Sequence, residues 1–249
     1  MSGHSKWSTI KRQKGAVDAK RGALFTRLSR EIMMAARQGG GDPSTNFKLR
    51  LAVQRAKQSN MPNDNIDRAI NKATGAEQTE QIYDAVYEGY GPGGVAILVT
   101  AATDNRNRTV SDVRQKFNKA GGSLGEAGSV AWQFEPKGLI TIPVNGYDPE
   151  ELELQAIDAG ATDVQVQGDS VEIQTDPQDL ETVRQALEDA SIEIENADFA
   201  MVPSNTIEPD PKYAVQTLKL LDALEDLDDV QRVYSNAEFS DEVLAEFAS

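Results

Sequence analysis

Residues 138–175 read GLITIPVNGYDPEELELQAIDAGATDVQVQGDSVEIQT, in which β-rich runs flank an acidic amphipathic stretch. Continued to residue 201, the pattern predicts strands at 139–143, 163–167, 171–174 and 192–201 and helices at 149–159 and 177–190. The resulting order, β-α-β-β-α-β, is typical of ferredoxin-like domains. We therefore predict an acidic α+β domain over residues 138–205.

A second α+β pattern precedes this domain and resumes after it. It comprises strands at 83–90, 95–101, 130–134 and 230–235 and helices at 109–120 and 211–227. Gly91-Pro92-Gly93-Gly94 separates the first two strands and indicates a hairpin-type turn. The last helix and strand are too few for a domain of their own. We therefore assign them to a discontinuous domain, residues 76–137 with 206–249, into which residues 138–205 are inserted.

The first 75 residues show helical periodicity instead. Phe25, Leu28, Ile32 and Ala35 recur on one helical face, and the Gly39–Gly41 run predicts the end of that helix. A second helix is predicted at 46–59, and a third begins at 60–63 and ends at Gly75. The sequence thus predicts an α+β multidomain protein: an N-terminal three-helix domain followed by two α+β (ferredoxin-like) domains, one inserted in the other.

Composition narrows the functional classes. The 249 residues include no Cys and one His, which excludes disulfides, thiol nucleophiles and metal sites built from Cys or several His. No phosphate-binding glycine loop precedes a helix, and His4 lies in a basic tail where nothing fixes its orientation. We expect no enzyme activity, no cofactor and no metal. No apolar run is long enough to span a membrane, so we expect a cytoplasmic protein.

Charge is distributed very unevenly along the chain. The net charge is −15, yet residues 1–75 hold 15 Lys and Arg against 5 Asp and Glu. Residues 138–205 hold 16 acidic residues and a single Arg. The overall charge argues against a nucleic-acid partner, whereas the basic first domain favours one.

The candidate nucleic-acid-binding residues of the first domain are cations and one aromatic residue. They are Lys6, Trp7, Lys11, Arg12, Lys14, Lys20, Arg21, Arg27, Arg30 and Arg37. Cations along a tail and a helix face can follow a phosphate backbone, and an indole can stack on an unpaired base. Two alternatives stay open: Trp7 packs in the core, and the cations are a solvated face.

A second cationic patch is predicted around the helix at 109–120. It consists of Arg106, Arg108, Arg114, Lys116 and Lys119, for which nucleic-acid binding and simple solvation are equally compatible with the pattern. The carboxylates of Glu225, Asp226, Asp228 and Asp229 are interpreted as the solvated end of an amphipathic helix.

Several of these segments resemble the YebC/PmpR family. The similar motifs are GHSKW at 3–7, DAKRG at 18–22, GGGDP at 39–43, YEGYGPGG at 87–94, DNRNRTV at 104–110 and DDVQRVY at 228–234. The resemblance implies a helical N-terminal domain, two α+β domains and no established enzyme activity. It also implies a role in gene expression, because bacterial members are described as probable transcriptional regulators that bind promoter DNA.

The resemblance leaves a second role open. A mitochondrial relative is a translational activator, and bacterial relatives are linked to ribosomes stalled on proline-rich nascent chains. The alternative is thus a ribosome-associated translation factor acting on rRNA or tRNA. Charge alone does not separate DNA from RNA, and no base-reading helix-turn-helix is evident. A basic protein is a further possible partner for the acidic inserted domain, and we expect a monomer.

Overall fold

The computed structural model describes residues 18–75, 82–144, 146–167 and 170–248. It divides into two compact units. The inserted unit comprises residues 134–204, and the composite unit comprises the described residues on either side of it. The composite unit contains both the N-terminal helices and the first sheet. The three-part division at residues 75, 137 and 205 therefore stays a prediction.

Three helices open the composite unit. They are α1 (Asp18–Gly39), α2 (Phe47–Gln58) and α3 (Asn63–Thr74). Asn46 joins the first two: its Oδ1 accepts from the Leu49 N–H at 3.1 Å, and its Nδ2 donates to the carbonyls of Ala35 and Gly40 at 2.8 Å. One side chain thus caps α2 and satisfies carbonyls at the end of α1. Apolar residues of all three helices, among them Ile32, Leu49 and Ile66, are buried together.

The first sheet is four-stranded and belongs to the composite unit. Its strands are β1 (Tyr83–Tyr90), β2 (Ala96–Thr103), β3 (Ser123–Leu124) and, from the end of the chain, β8 (Val230–Ser235). The order is β3-β1-β2-β8, and β8 pairs antiparallel with β2. Helices α4 (Arg106–Lys119) and α7 (Pro211–Glu225) pack on this sheet through residues such as Phe117 and Leu218, and α8 (Asp241–Ala248) packs on α7.

The inserted unit has a sheet of its own. It consists of β4 (Phe134–Pro143), α5 (Pro149–Asp158), β5 (Asp163–Gln167), β6 (Ser170–Thr175), α6 (Leu180–Asp189) and β7 (Asn196–Pro203). The strand order is β5-β6-β4-β7 with every pair antiparallel, which is a ferredoxin-like arrangement. The predicted fold class is confirmed: helices come first, and one α+β domain is inserted in another.

Two local predictions are wrong. The segment predicted as a strand at 130–134 contains a 3₁₀ turn (Ala131–Gln133), and strand β4 begins only at Phe134. The eight-residue helix α8 was not predicted from the sequence, although Ser240 precedes it and accepts from the Val243 N–H at 3.4 Å. The Gly91–Gly94 segment does link β1 to β2, through a 3₁₀ turn (Pro92–Gly94) in which Gly93 and Gly94 have φ of 73° and 79°. Side chains with a Cβ rarely adopt such values.

A buried carboxylate makes the stability of the inserted unit depend on pH. Glu172 on β6 is 3% exposed, and burial raises its pKa to about 7. A carboxyl group whose pKa is raised by folding keeps its proton longer in the folded state. Its unfavourable contribution to the stability of the folded state therefore develops as the pH rises from the ordinary pKa of 4.5 to the raised pKa of about 7.

We predict that Glu172→Gln stabilises the protein by about 2–3 kcal/mol at pH 8, and by much less at pH 5. Denaturant unfolding of both proteins at the two pH values measures this difference. The matched control is Glu153→Gln, an exposed position on α5, for which the two pH values should give the same small change. A Glu172→Gln effect of equal size at pH 5 and pH 8 would contradict the prediction.

Candidate nucleic-acid interface

The predicted tail residues lie outside the described part of the chain. Lys6, Trp7, Lys11, Arg12 and Lys14 are in residues 1–17, so their role stays a prediction. Lys20 and Arg21 lie in the first turn of α1, where Arg21 is exposed.

The three predicted arginines further along α1 contact the rest of the composite unit. Arg27 Nη1 donates to the carbonyl of Glu225 at 3.1 Å, and Arg37 Nη1 donates to the carbonyl of Ile82 at 3.2 Å. Arg30 Nη1 donates to the carbonyl of Asp228 at 2.8 Å and to the carboxylate of Asp229 at 2.6 Å. These guanidinium groups attach α1 to the composite sheet and its helices.

The contact of Arg27 has a simple electrostatic reason. Glu225 is the last residue of α7, where carbonyl groups lack partners within the helix and the helix dipole is negative. A cation at that point satisfies a carbonyl and interacts favourably with the dipole. Burial lowers the pKa of Arg27, and the nearby charge of Arg232 lowers it further.

Asp229 is the centre of this network. Its carboxylate accepts from Arg30 at 2.6 Å, from Arg108 Nη2 at 2.8 and 3.1 Å, from Thr109 Oγ1 at 2.6 Å and from Thr103 Oγ1 at 3.1 Å. The residue is 6% exposed. Burial acts to raise its pKa, but the donors Thr109 and Arg108 and the charge of Arg30 together lower the pKa below its ordinary value. Its interpretation as part of a solvated helix end is therefore wrong.

Asp229 also joins the two cationic patches predicted from sequence. Arg30 comes from the first patch and Arg108 from the second, and both donate to this carboxylate. Arg108 also donates to Asp104 at 2.7 Å, and these two carboxylates raise its pKa. The sequence signal was the DDVQ segment at 228–231, but the spacing alone does not show that its second Asp turns inward.

The rest of the second patch is spread around α4. Arg106 lies with its guanidinium carbon 5.0 Å from the centre of the Tyr83 ring and donates to the Asp84 carbonyl at 3.4 Å. Arg114 and Lys119 are exposed and Lys116 is half-buried. At 100° per residue, Arg114 lies on the flank of α4 opposite Lys116, so the structure does not bring all five cations together.

The small helices carry exposed cations outside the predicted site. Lys57 on α2 and Arg68 and Lys72 on α3 are exposed, and the last two are four residues apart on one face.

No group of His, Asp and Glu suited to a metal ion occurs among the described residues. Within the same residues, no helix is long and apolar enough to cross a membrane.

We predict that Asp229→Asn lowers the free energy of unfolding by about 2–4 kcal/mol, because it removes the buried charge that Arg30 and Arg108 share and leaves Arg108 with Asp104 alone. Since folding lowers the pKa of Asp229, this stabilisation exists at neutral pH and is lost as the pH falls through the folded-state pKa, below 3.8. Urea unfolding at pH 7 and at acidic pH measures both effects.

The neighbouring position supplies the control. Asp228 is exposed and contributes only its backbone carbonyl to Arg30, so Asp228→Asn should change stability by less than about 0.5 kcal/mol. Equal losses for the two variants would mean that loss of negative charge, rather than loss of the buried network, explains the effect.

Comparison with known proteins identifies the family. Residues 5–76 match the family model described as the TACO1/YebC protein N-terminal domain, and residues 82–237 match the model of the TACO1/YebC second and third domain. A crystal structure of a conserved hypothetical protein, Aq1575 from Aquifex aeolicus, is 47% identical. It covers 92% of this chain and 95% of its own, with a TM-score of 0.85.

Curated relatives match over the full length. A probable transcriptional regulatory protein of Dehalococcoides mccartyi is 55% identical over 100% of this chain and 99% of its own. A protein of the same description from Rubrobacter xylanophilus is 56% identical over 100% of both chains. These relatives are named as regulatory proteins rather than as enzymes. The chain belongs to the TACO1/YebC family.

Proposed function

We propose that the protein is a nucleic-acid-binding regulator of gene expression, a DNA-binding transcriptional regulator that contacts phosphates through its basic N-terminal segment. The observation that carries the proposal is the charge segregation: 15 cations against 5 acids in residues 1–75 of a chain whose net charge is −15. Phosphate contacts by Lys and Arg supply most of the sequence-independent affinity for nucleic acid. The names of the relatives support a regulatory role.

The contacts of the described residues indicate which Lys and Arg side chains are available to bind phosphate. Arg27, Arg30 and Arg37 donate to carbonyl and carboxylate groups of the same chain, so a phosphate would have to displace those partners. We assign the phosphate contacts chiefly to the cations at positions 6–14, which form the densest run of positive charge in the segment. Arg114 and Lys119, both exposed on α4, are the second candidates.

We predict that the triple variant Lys11→Ala, Arg12→Ala, Lys14→Ala weakens nucleic-acid binding and lowers the slope of log K against log salt by ~2–3. Each lost phosphate contact removes close to one released counterion, which is the physical reason for that value. Fluorescence anisotropy with a labelled 20-base-pair duplex, titrated at four salt concentrations, measures the slope.

A matched variant removes the same charge from the same segment. Lys57, Arg68 and Lys72 are exposed on α2 and α3, and changing them to Gln should leave the slope nearly unchanged. Similar losses for the two triple variants would show that net charge, rather than the tail, governs binding. An unchanged slope for the tail variant would contradict the proposal.

A translation role is the second candidate, and one observation favours it. Helices α2 and α3 are joined by four residues, as in a helix-turn-helix, whose second helix uses its N-terminal residues to contact base edges. Here α3 begins with Asn63-Asp64-Asn65 followed by Asp67, and both carboxylates are exposed. Phosphates repel carboxylates at that position, which disfavours sequence reading in a DNA groove by α3, and the translation role requires no such reading.

We expect the two roles to separate in a paired measurement. If the ribosome is the target, the protein co-sediments with ribosomes at 50 mM salt and is released at 500 mM, because the contact rests on phosphates. If promoter DNA is the target, one promoter fragment binds at nanomolar concentration while a scrambled fragment of equal length does not. Tight binding to one promoter without co-sedimentation would reject the translation role.

A further inference from the structure

One large aromatic side chain of the composite unit is unusually exposed. Trp132, in the 3₁₀ turn before β4, is 72% exposed, the highest value of any large hydrophobic side chain in the described residues. Tyr90, at the end of β1, is 37% exposed. An indole at this level of exposure gains little from folding and leaves most of its apolar surface available to a ligand.

The two aromatic side chains share one acceptor. The Ser129 carbonyl accepts from Trp132 Nε1 at 3.2 Å and from Tyr90 Oη at 3.0 Å. The polar edges of both rings are therefore satisfied within the chain, and the ring orientations are restrained. What remains for a ligand is the apolar ring faces, so the site suits a flat, apolar-faced group rather than a hydrogen-bonding one.

The segment that carries Trp132 is itself held rigidly. The Glu88 carboxylate on β1 is 7% exposed and accepts from the backbone N–H groups of Gly128 at 2.7 Å, Val130 at 2.8 Å and Ala131 at 2.7 Å. Burial acts to raise the pKa of Glu88, but these three donors lower it below its ordinary value. The ionised carboxylate thus fixes the turn next to Trp132 and preorganises the aromatic pair.

Charge distinguishes the surface of Trp132 and Tyr90 from a second exposed apolar surface, which lies on α5. The last turn of α4, with Lys116 and Lys119, leads into Gly122, which lies against the backbone of Tyr90. Lys212 lies over the ring of Tyr213, which packs on Gly93. Exposed acids of the segments around Trp132 and Tyr213 are Glu126, Glu135, Glu208 and Asp210.

The other surface is on α5 of the inserted unit. Leu154 and Ile157 are 65% and 52% exposed, and the charged residues of that helix are all acidic: Glu150, Glu151, Glu153 and Asp158. Such a rim repels phosphate, whereas the segments that adjoin Tyr90 hold Lys116, Lys119 and Lys212 as well as acids. A base attached to a phosphate backbone therefore fits the surface of Trp132 and Tyr90 better than the α5 surface.

We propose that Trp132 and Tyr90 form a stacking site for an unpaired nucleobase. The inference rests on the proposed function and deepens it, because it adds a base contact to the phosphate contacts of the N-terminal segment. Stacking on an indole face is tolerant of base identity but requires a base that is not enclosed in a duplex. The site therefore selects single-stranded or looped nucleic acid.

The test uses the fact that the chain has only two tryptophans, Trp7 and Trp132. In the Trp7→Phe protein, all indole emission comes from Trp132. We expect 12-mers of oligo(dT) and oligo(rU) to quench that emission at saturation, and a blunt duplex of the same length to quench it much less. The comparison of the two 12-mers tells whether the base comes from DNA or RNA.

Affinity gives an independent readout. Trp132→Leu should weaken binding of the 12-mers by about five- to a hundredfold with an unchanged salt slope, since a stacked base releases no counterions. Trp132→Phe should restore much of the affinity, because the phenyl ring keeps a face for stacking. Leu154→Ala, which removes equally exposed apolar surface from the inserted unit, should bind like the unchanged protein, and thermal unfolding checks that all variants are folded.

Three results would overturn the inference. The first is full affinity of Trp132→Leu without quenching of Trp132, which would leave the phosphate contacts and the proposed function standing. The second is emission of Trp132 that changes with protein concentration alone, which would assign the surface to a second copy of the chain. The third is absence of any nucleic-acid binding, with or without the tail cations, which would remove the proposed function as well.

Discussion

The buried carboxylate of Asp229 is the interaction on which the composite unit depends. It accepts from Arg30, from Arg108 and from the hydroxyls of Thr103 and Thr109, at sequence separations of 120 to 199 residues. A carboxylate at 6% exposure is tolerable only because charged and hydroxyl donors replace water around it. Those donors come from α1, from the end of β2 and from α4, so the ion can be buried only when both helices have packed where β2 ends and β8 begins. The 71-residue insertion at 134–204 separates Asp229 from its partners in sequence without interrupting this contact.

This network changes how the charge of the first 75 residues is understood. Counted along the chain, Arg27, Arg30 and Arg37 belong to a basic segment available to phosphates. In the structure, each donates to an acceptor of the sheet-bearing part of the same unit, and the acceptors include a helix C-terminus and a buried carboxylate. Cations with such partners stabilise the fold, and they become available to an external anion only if it displaces those partners. The segment charge therefore overstates the number of phosphate contacts that this domain can make.

The sequence pattern predicted helices and strands well where the signals lie within the element itself. The strands at 83–90, 163–167 and 230–235 have the predicted bounds, because each is a run of β-forming residues separated from its neighbours by turn or helix signals. Asp229 and Trp132 could not be placed in this way. The environments of both side chains depend on partners from distant parts of the chain. Arg30 and Arg108 donate to the Asp229 carboxylate, and Glu88 holds the turn that carries the Trp132 indole. The surrounding cations singled out Trp7 in the sequence as a stacking candidate, and that role stays a prediction; Trp132 has no such signal in the sequence around it.

The proposed phosphate contacts of the N-terminal segment and the proposed base stacking on Trp132 respond differently to salt. Phosphate contacts release counterions, so their contribution falls steeply as salt rises, whereas a base stacked on an indole contributes nearly the same amount at any salt concentration. A protein that combines both retains, at high salt, the part of its affinity that is due to unpaired bases. Together, the two proposed contacts favour nucleic acid with an accessible base, which is a property of looped RNA more than of uninterrupted duplex DNA.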